Sequence, residues 1–317
     1  MNLPNFFVIG AAKAGSTTIY DGLSQHPDVF MSPIKETNFF SYVDMSEKYF
    51  SSRYQASINF NLTKYLAQQN RRAVHIANVT NLDEYKLLFR DAAHETAIGE
   101  ASNSYLFCPS TASQIHKKIK SPKFIIILRN PVDRAWSHYL MNLKLGHVTH
   151  SDFITEYEND SRTNPQGWGI TSNYDKLGRY VNQIKRYFSL FPRESFHISL
   201  FDQLQNNQSE LFESIFEFLE VDSKALASRQ ILSNRAAKPR FRTLNKLLTQ
   251  SSPAISLYRL MPDKLRNITN QLFFTTNSVP VLSIRDRKLL IDKYYDEIID
   301  LEALLDLDLT HWRMTSK

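Results

Sequence analysis

The 317-residue sequence contains one cysteine, Cys108, and lacks any long apolar run. A single cysteine cannot form an intrachain disulfide and excludes a zinc site built on several cysteines, so Cys108 is interpreted as a packed small side chain. No stretch approaches the ~18 apolar residues of a membrane-spanning helix. Internal repeats, low-complexity tracts and a domain linker are also missing. These absences favour a soluble globular protein of a reducing compartment.

Targeting signals and extreme charge are missing as well. The first residues show no basic segment followed by a cleavable apolar stretch, so we expect no signal peptide, no transmembrane segment and a cytoplasmic location. The 38 Lys and Arg residues exceed the 32 Asp and Glu residues, which gives a net charge of +6. This moderate positive charge suits anionic ligands. Nucleic acid is not expected as a partner, because no nucleic-acid-binding module is recognisable.

The most informative stretch is FFVIGAAKAGSTTIYDGL, which runs from Phe6 to Leu23. An apolar run stops at Gly10, a loop of small residues contains Lys13, and a predicted helix begins near Thr17. A strand, a loop and a helix N-terminus in this order bind anions, because their N–H groups and the helix dipole face one point. The alternative is a turn whose small residues serve close packing.

The loop departs from the ATP-binding P-loop pattern G-x-x-x-x-G-K-[ST]. Gly10 and Gly15 fit the two glycines, but Ser16 occupies the position of the lysine. The loop lysine is instead Lys13. This displacement indicates a nucleotide ligand whose transferred group is not an ordinary γ-phosphoryl.

A second informative stretch is KFIIILRNPVDRAWSHYL, with a predicted central strand at Phe124–Leu128. Arg129 follows this strand, where a nucleotide-hydrolysing P-loop enzyme places an aspartate that holds Mg²⁺. Arginine can grip a fixed phosphate without a metal, and Ser137 on the next predicted helix can add a hydroxyl. The alternative is that Arg129 caps the sheet through Asp133 or another nearby carboxylate.

Glu36 lies in SPIKETNFFS, directly after a predicted strand at Val29–Met31. Ligands of parallel sheets bind beyond the carboxyl ends of the strands, so Glu36 could share a crevice with Lys13. The alternative is a solvated loop carboxylate. No histidine is near Glu36 in the sequence, and His26 and His138 are interpreted as structural.

Apolar spacing also predicts amphipathic helices at Tyr174–Phe188 and Ile284–Leu307. Asn61 and Asn81 precede shorter helical patterns and are predicted N-caps.

The motifs AAKAGSTT, KETNFF and ILRNPVDRAWSHY together resemble those of the PAPS-dependent sulfotransferases, in the bacterial and heparan-sulfate-type branch. PAPS is 3′-phosphoadenosine 5′-phosphosulfate. Weaker similarity continues through GRYVNQIKRYF, FDQL and DLDLTHW, so the resemblance covers nearly the whole chain. It implies an α/β fold with a P-loop-like central parallel sheet flanked by helices. It also implies one domain over 1–317, with acceptor-binding insertions at about 42–95 and 140–175.

The resemblance also assigns the nucleotide-binding residues. Those assigned to the 5′-phosphosulfate are Lys13, Ala14, Gly15, Ser16, Thr17 and Thr18. The 3′-phosphate site falls on Arg129 and Ser137. A basic loop that covers the nucleotide falls on Lys238 and Arg240.

The resemblance further implies the reaction, in which a sulfuryl group moves from PAPS to a hydroxyl or amine and PAP is released. The branch uses a glutamate three residues before a Phe-Phe pair as general base, and Glu36 precedes Phe39-Phe40 in this way. Lys13 then stabilises the leaving phosphate, and no metal is required. The expected partner is a small-molecule, sugar or lipid acceptor. The sequence has no readable signature of the particular acceptor or of the oligomeric state.

Two other functions remain as alternatives. A nucleotide kinase or NTPase of the same fold is disfavoured by Ser16 and Arg129, which replace the loop lysine and the Mg²⁺-holding aspartate. A non-catalytic anion-binding or nucleic-acid-binding protein is supported only by the net charge and the basic run SNRAAKPRFR.

Overall fold

The computed structural model describes residues 3–69, 71–150, 152–224 and 280–315, and the backbone of 238–239 and 274–275. The described residues fall into two compact units. Unit 1 takes its described residues from Met1–Asn130, Gly167–Ile170 and Arg179–Ser233. Unit 2 takes its described residues from Pro131–Gln166, Thr171–Gly178 and Asn234–Lys317.

Strands and helices alternate along most of the chain. The strands are β1 (Phe6–Gly10), β2 (Val29–Met31), β3 (Ile34–Glu36), β4 (Val74–Ile76), β5 (Ala97–Ala101), β6 (Lys123–Leu128), β7 (Phe196–Leu200), β8 (Lys238–Pro239) and β9 (Phe274–Thr275). The α-helices are α1 (Ser16–Leu23), α2 (Ser52–Ile58), α3 (Leu62–Leu66), α4 (Leu82–Leu87), α5 (Ser104–Phe107), α6 (Thr111–Lys118), α7 (Pro131–Lys144), α8 (Phe153–Arg162), α9 (Tyr180–Phe188), α10 (Phe201–Asn206), α11 (Gln208–Leu219) and α12 (Ile284–Leu305). Short 3₁₀ helices lie at Tyr42–Asp44, Glu47–Tyr49, Lys176–Gly178, Arg193–Ser195 and Thr310–Arg313.

The core of unit 1 is a five-stranded sheet in the order β2-β5-β1-β6-β7. All four pairings are parallel, and β1 lies in the centre between β5 and β6. Every residue of β1 is buried, and Phe124 to Leu128 of β6 are fully buried. Continuous apolar strands are expected where helices cover both faces of a parallel sheet. The predicted central parallel sheet flanked by helices is therefore confirmed.

A second, two-stranded sheet of unit 1 pairs β3 with β4 in parallel, with Ile34 opposite Val74 and Glu36 opposite Ile76. The sequence pattern predicts a loop in this part of SPIKETNFFS and gives no signal for either strand. Strands of three residues are too short to show an alternating apolar pattern. The consequence is that Glu36 lies on a strand whose backbone is fixed by hydrogen bonds.

The local helix predictions were confirmed at the caps. The side chain of Asn61 accepts the N–H of Lys64, and that of Asn81 accepts those of Asp83 and Glu84. Such N-caps satisfy N–H groups that the helix itself leaves without partners.

The predicted helix over Tyr174–Phe188 is wrong in its first part, because α9 begins only at Tyr180. A 3₁₀ turn precedes it and ends at Gly178. A Cβ at Gly178 would lie 3.0 Å from the Cβ of Pro131 and 3.0 Å from the hydroxyl of Tyr294. Gly178 therefore serves close packing, and glycine disfavours a continuous helix.

Unit 2 is built on α7, α8 and α12. Arg287 of α12 forms an ion pair with Asp133 of α7 at 2.5 Å, and both side chains are largely buried. The α12 helix confirms the predicted amphipathic helix in this region, with Leu290, Tyr294 and Ile298 buried. Within the described ranges, no helix has both the length and the apolar character needed to cross a bilayer.

Candidate anion-binding and acid-base site

The loop between β1 and α1 is tightly turned. The N–H of Ala11 donates to the carbonyl of Ile127 at 2.7 Å, and the N–H of Ala14 donates to that of Ala11 at 3.1 Å. Lys13 and Gly15 adopt positive φ angles of 69° and 96°. A left-handed conformation is unfavourable for lysine and persists only where the surrounding structure imposes it, often at functional sites. The hydrogen bonds to the sheet and within the turn thus fix the backbone conformation at Lys13.

Gly15 is required by space as well as by its backbone angle. A Cβ at this position would lie 2.4 Å from Cδ2 of Leu204. Leu204 is buried on α10, in the FDQL segment. Helix α10 therefore packs directly on the loop, which explains why the loop needs glycine at its entry into α1.

The N-terminus of α1 is suited to an anion. Gly15 is the N-cap and has no side chain that could cap the helix, and the first turn contains no acidic residue. The first N–H groups of a helix have no intrahelical acceptors and carry partial positive charge. Ser16 and Thr18 are buried at 5% exposure each, whereas Thr17 is partly exposed.

Arg129 lies at the edge of this loop. Its Nη1 atom donates to the carbonyl oxygen of Lys13 at 3.0 Å, and its guanidinium stacks 4.3 Å from the ring centroid of Phe201. Its own carbonyl accepts the hydroxyl of Tyr180 at 2.8 Å. The structure thus brings together two residues that the sequence analysis assigned to the two ends of one nucleotide.

Glu36, at the end of β3, is only 4% exposed. Its Oε2 accepts the main-chain N–H of Asn103 at 2.7 Å, and its Oε1 accepts the Asn103 side-chain amide at 2.7 Å. Asn103 follows β5, the neighbour of β1 in the central sheet. The alternative of a solvated loop carboxylate is wrong, because Glu36 is a buried and doubly anchored acid.

Lys35 connects this carboxylate to the anion-binding loop. Its Nζ atom donates to Oε1 of Glu36 at 2.6 Å and to Oγ of Ser16 at 3.4 Å. The side chains of Lys35 and Glu36 are 4% and 5% exposed. Lys35 was not predicted as a site residue. Its only signal in the sequence is its position next to the candidate base, and this position does not distinguish a site residue from a solvated lysine.

A histidine also lies near the carboxylate of Glu36. It is far from Glu36 in the sequence, so the sequence did not predict this proximity. The register of β3 and β4 places His75 opposite Lys35. His75 is an exposed residue of β4; the protein atoms around its ring lower its pKa, the charge of Glu36 acts in the opposite direction, and Lys35 and Lys13 lower it further. His75 therefore belongs to the same electrostatic cluster as the candidate base.

A buried carboxyl supports the segment that carries Glu36. Glu100 is fully buried and accepts hydrogen bonds from the hydroxyls of Thr37, Tyr85 and Ser102. Burial raises the pKa of Glu100, while these hydrogen bonds act in the opposite direction. Since Thr37 directly follows Glu36, the network fixes the end of β3 against β5.

The other predicted site residues are Ser137, Lys238 and Arg240. Ser137 is a partly buried residue of α7 and belongs to unit 2. Lys238 lies in β8, where its backbone pairs with Thr275. Arg240 lies outside the described residues.

A model of the Sulfotransferase family matches residues 4–225, which include the loop, Glu36 and Arg129. The chain belongs to this sulfotransferase family. The match confirms the family resemblance that the three sequence motifs indicated.

Individual sulfotransferases are similar over much of the chain. Mouse carbohydrate sulfotransferase 15 is 25% identical over 279 residues, which cover 77% of this chain and 49% of that protein. The bifunctional heparan sulfate N-deacetylase/N-sulfotransferase 1 of Caenorhabditis elegans is 21% identical over 308 residues, which cover 95% of this chain and 32% of that protein. The chain thus spans about a third to a half of these curated relatives.

A solved structure supports the same fold. The sulfotransferase from Alicyclobacillus acidocaldarius is 27% identical, with a TM-score of 0.68 over 99% of this chain and 100% of that one. The P-loop-like parallel sheet therefore corresponds to the central sheet of the sulfotransferase fold.

Proposed function

We propose that this sulfotransferase moves a sulfuryl group from PAPS to a hydroxyl or amine of a small-molecule, sugar or lipid acceptor. The observation that carries the proposal is the contact chain from Ser16 through Lys35 to Glu36. It links the helix N-terminus to a buried carboxylate by one side chain. A site of this kind can hold an anion and accept a proton within a short distance of it.

The donor set of the loop fits a nucleotide with phosphate groups at two positions. The N–H groups of Gly15 to Thr18 and the Lys13 ammonium are the proposed ligands of the 5′-phosphosulfate. The guanidinium of Arg129, with Ser137, is the proposed ligand of the 3′-phosphate, since arginine binds phosphate in a bidentate manner. Lys238 and Arg240 are the proposed covering residues. When bound, PAPS supplies the sulfuryl group and PAP is the leaving group.

Two residues have proposed chemical roles. Glu36 accepts the proton of the acceptor hydroxyl or amine, and Asn103 holds its carboxylate in a fixed orientation. Lys13 neutralises the negative charge that develops on the leaving phosphate. Neither role calls for a metal ion. The segment 42–95, which contributes His75 beside Glu36, is a proposed source of acceptor contacts, and the corresponding role of 140–175 stays a prediction.

The proposal is tested first by nucleotide binding. PAP should raise the melting temperature of the protein at micromolar concentration, whereas ATP with Mg²⁺ should not. A kinase or NTPase would show the reverse preference. Salt-sensitive RNA binding without sulfate transfer would instead favour the non-catalytic alternative.

The second test identifies the acceptor. The protein is incubated with ³⁵S-labelled PAPS and a metabolite extract, and mass spectrometry detects products heavier by ~80 Da, the mass of one SO₃ added by this transfer. A Glu36→Gln sample serves as the control for background transfer. Absence of any Glu36-dependent product across polar, sugar and lipid fractions would contradict the proposed activity. A cytoplasmic location is part of the proposal, consistent with a single buried cysteine.

A further inference from the structure

Lys35 occupies a position that its pairing with Glu36 alone does not explain. Its ammonium lies between the carboxylate of Glu36 and the hydroxyl of Ser16, the first residue of α1. A lysine that is 4% exposed has lost most of its water, so its charge needs anionic or polar partners. Lys35 has one partner at the candidate base, Glu36, and one at the anion-binding loop, Ser16.

Glu36 does not depend on Lys35 for its hydrogen bonds. Asn103 donates to both carboxylate oxygens, from its main chain to Oε2 and from its side chain to Oε1. If the Lys35 ammonium turned away, each oxygen would keep a donor. Lysine has a flexible four-carbon stem and three rotatable donors, so this movement needs no change in the backbone.

The proposed reaction brings two negatively charged groups close together near Lys35. The terminal group of the donor is an anion, and the base that must approach the same centre is also an anion. Two like charges close together in a poorly solvated site repel strongly. A cation between them reduces that repulsion, and the Lys35 ammonium contacts both the loop and the base.

We propose that Lys35 is a second catalytic lysine, which binds the sulfuryl oxygens of the donor while Lys13 binds the leaving phosphate. This inference rests on the proposed function and deepens it. In the transfer step, the acceptor oxygen or nitrogen forms a bond to sulfur as its proton passes to Glu36. The bond from sulfur to the bridging oxygen breaks, and its electron pair stays on the phosphate. The Lys35 ammonium balances the charge of the sulfuryl oxygens and takes no part in the proton transfer.

The inference is tested by comparing two nucleotides that differ only in the sulfuryl group. PAPS and PAP binding are measured by equilibrium dialysis without acceptor, for the wild type and Lys35→Met. We expect the variant to bind PAPS at least about tenfold more weakly while PAP binding changes less than about twofold, since a hydrogen bond to a charged group is lost only for PAPS. Equal losses for both nucleotides, or no loss for either, would overturn the role.

Four further variants keep the result interpretable. Lys117→Met removes an exposed lysine of α6 and should leave both affinities unchanged. Lys35→Arg keeps the charge and should retain most of the PAPS preference. If Lys35→Met unfolds because Glu36 is left as a buried charge, the double variant Lys35→Met/Glu36→Gln removes both charges. The double variant should lose the preference for PAPS, whereas Glu36→Gln alone should keep it.

These outcomes separate the inference from the function on which it rests. Wild-type protein that binds neither nucleotide would overturn the proposed function and the role of Lys35 together. Wild-type protein that prefers PAPS, with a Lys35→Met variant that keeps the same preference, would overturn the role of Lys35 alone.

Discussion

The guanidinium of Arg129 donates a hydrogen bond to the main-chain carbonyl of Lys13 at 3.0 Å. The two residues are 116 positions apart in the sequence, yet each follows the carboxyl end of a neighbouring parallel strand. The carboxyl ends of parallel strands meet at one edge of a sheet. The pairing of β1 with β6 is therefore what places the predicted 3′-phosphate ligand beside the predicted 5′-phosphosulfate loop.

Replacement of Arg129 by alanine should weaken PAP binding by about 10- to 100-fold, since hydrogen bonds to charged groups contribute about 1.5–3 kcal/mol. Binding of adenosine 5′-phosphate, which lacks the 3′-phosphate, should change much less. Isothermal titration calorimetry measures both affinities. Arg193→Ala is the matched control, because Arg193 also stacks on a phenylalanine, Phe188, at 4.0 Å. Normal PAP binding by Arg129→Ala would remove Arg129 from the 3′-phosphate site.

Glu36→Gln should lower kcat at least ~100-fold, the scale of a general base, and leave the affinity for PAP nearly intact. Glutamine keeps one oxygen, which can accept one of the two Asn103 hydrogen bonds, but its amide cannot take the acceptor proton. Steady-state kinetics with PAPS and an identified acceptor provide the measurement. Glu210→Gln, on the exposed first turn of α11, is the control. Turnover within a fewfold of the wild type would exclude Glu36 as the base.

Cys108 should not react with thiol reagents in the folded protein. It is 3% exposed, and burial raises the pKa of its thiol, with a smaller upward contribution from the charge of Asp44. Thiolate is the reactive form, so both accessibility and ionisation oppose modification. Ellman's reagent at pH 8 should detect less than about a tenth of one thiol per chain before denaturation and one thiol in guanidinium chloride. Rapid reaction of the native protein would show that Cys108 is accessible.

The stability contribution of Glu100 should depend on pH with a definite sign. Its folded-state pKa is raised above the ordinary value of 4.5, so the folded protein binds this proton more tightly than the unfolded chain. The contribution is complete below pH 4.5 and is lost as the pH rises through the raised pKa. Relative to Glu100→Gln, the wild type should lose up to about 1.4 kcal/mol of unfolding free energy per pH unit in that window.

Urea denaturation of both proteins between pH 4.5 and 7.5 measures this difference. Glu210→Gln, in which an exposed carboxylate is removed, should show little pH-dependent difference from the wild type. A wild type that becomes more stable than Glu100→Gln as the pH rises would contradict the raised pKa of Glu100.

The central sheet and the loop could be predicted from the sequence because their signals are local. The apolar run before Gly10 and the run before Arg129 are typical of buried parallel strands, and the small residues between Gly10 and Ser16 are typical of an anion-binding turn. The caps at Asn61 and Asn81 follow from the same kind of short-range chemistry.

The environment of Glu36 could not be predicted in this way. Asn103 and His75 reach it only after β3 pairs with β4 and packs near β5, and three-residue strands leave no periodic signal. Lys35 was overlooked because a charged residue beside a predicted loop carboxylate is normally solvated. Its burial depends on pairing between distant segments.

The central position of β1 also affects how the chain folds during synthesis. β1 is translated before its two sheet partners, which begin only at Ala97 and Lys123. At about 5–20 residues per second, a ribosome adds the chain from Gly10 to Ala97, where the first partner strand begins, in about 4 to 17 s. During that interval the segment FFVIG has no partner strand and exposes its apolar side chains. The N–H of Ala11 can bond to the carbonyl of Ile127 only after β6 has been made, so the anion-binding loop reaches its described form late in synthesis.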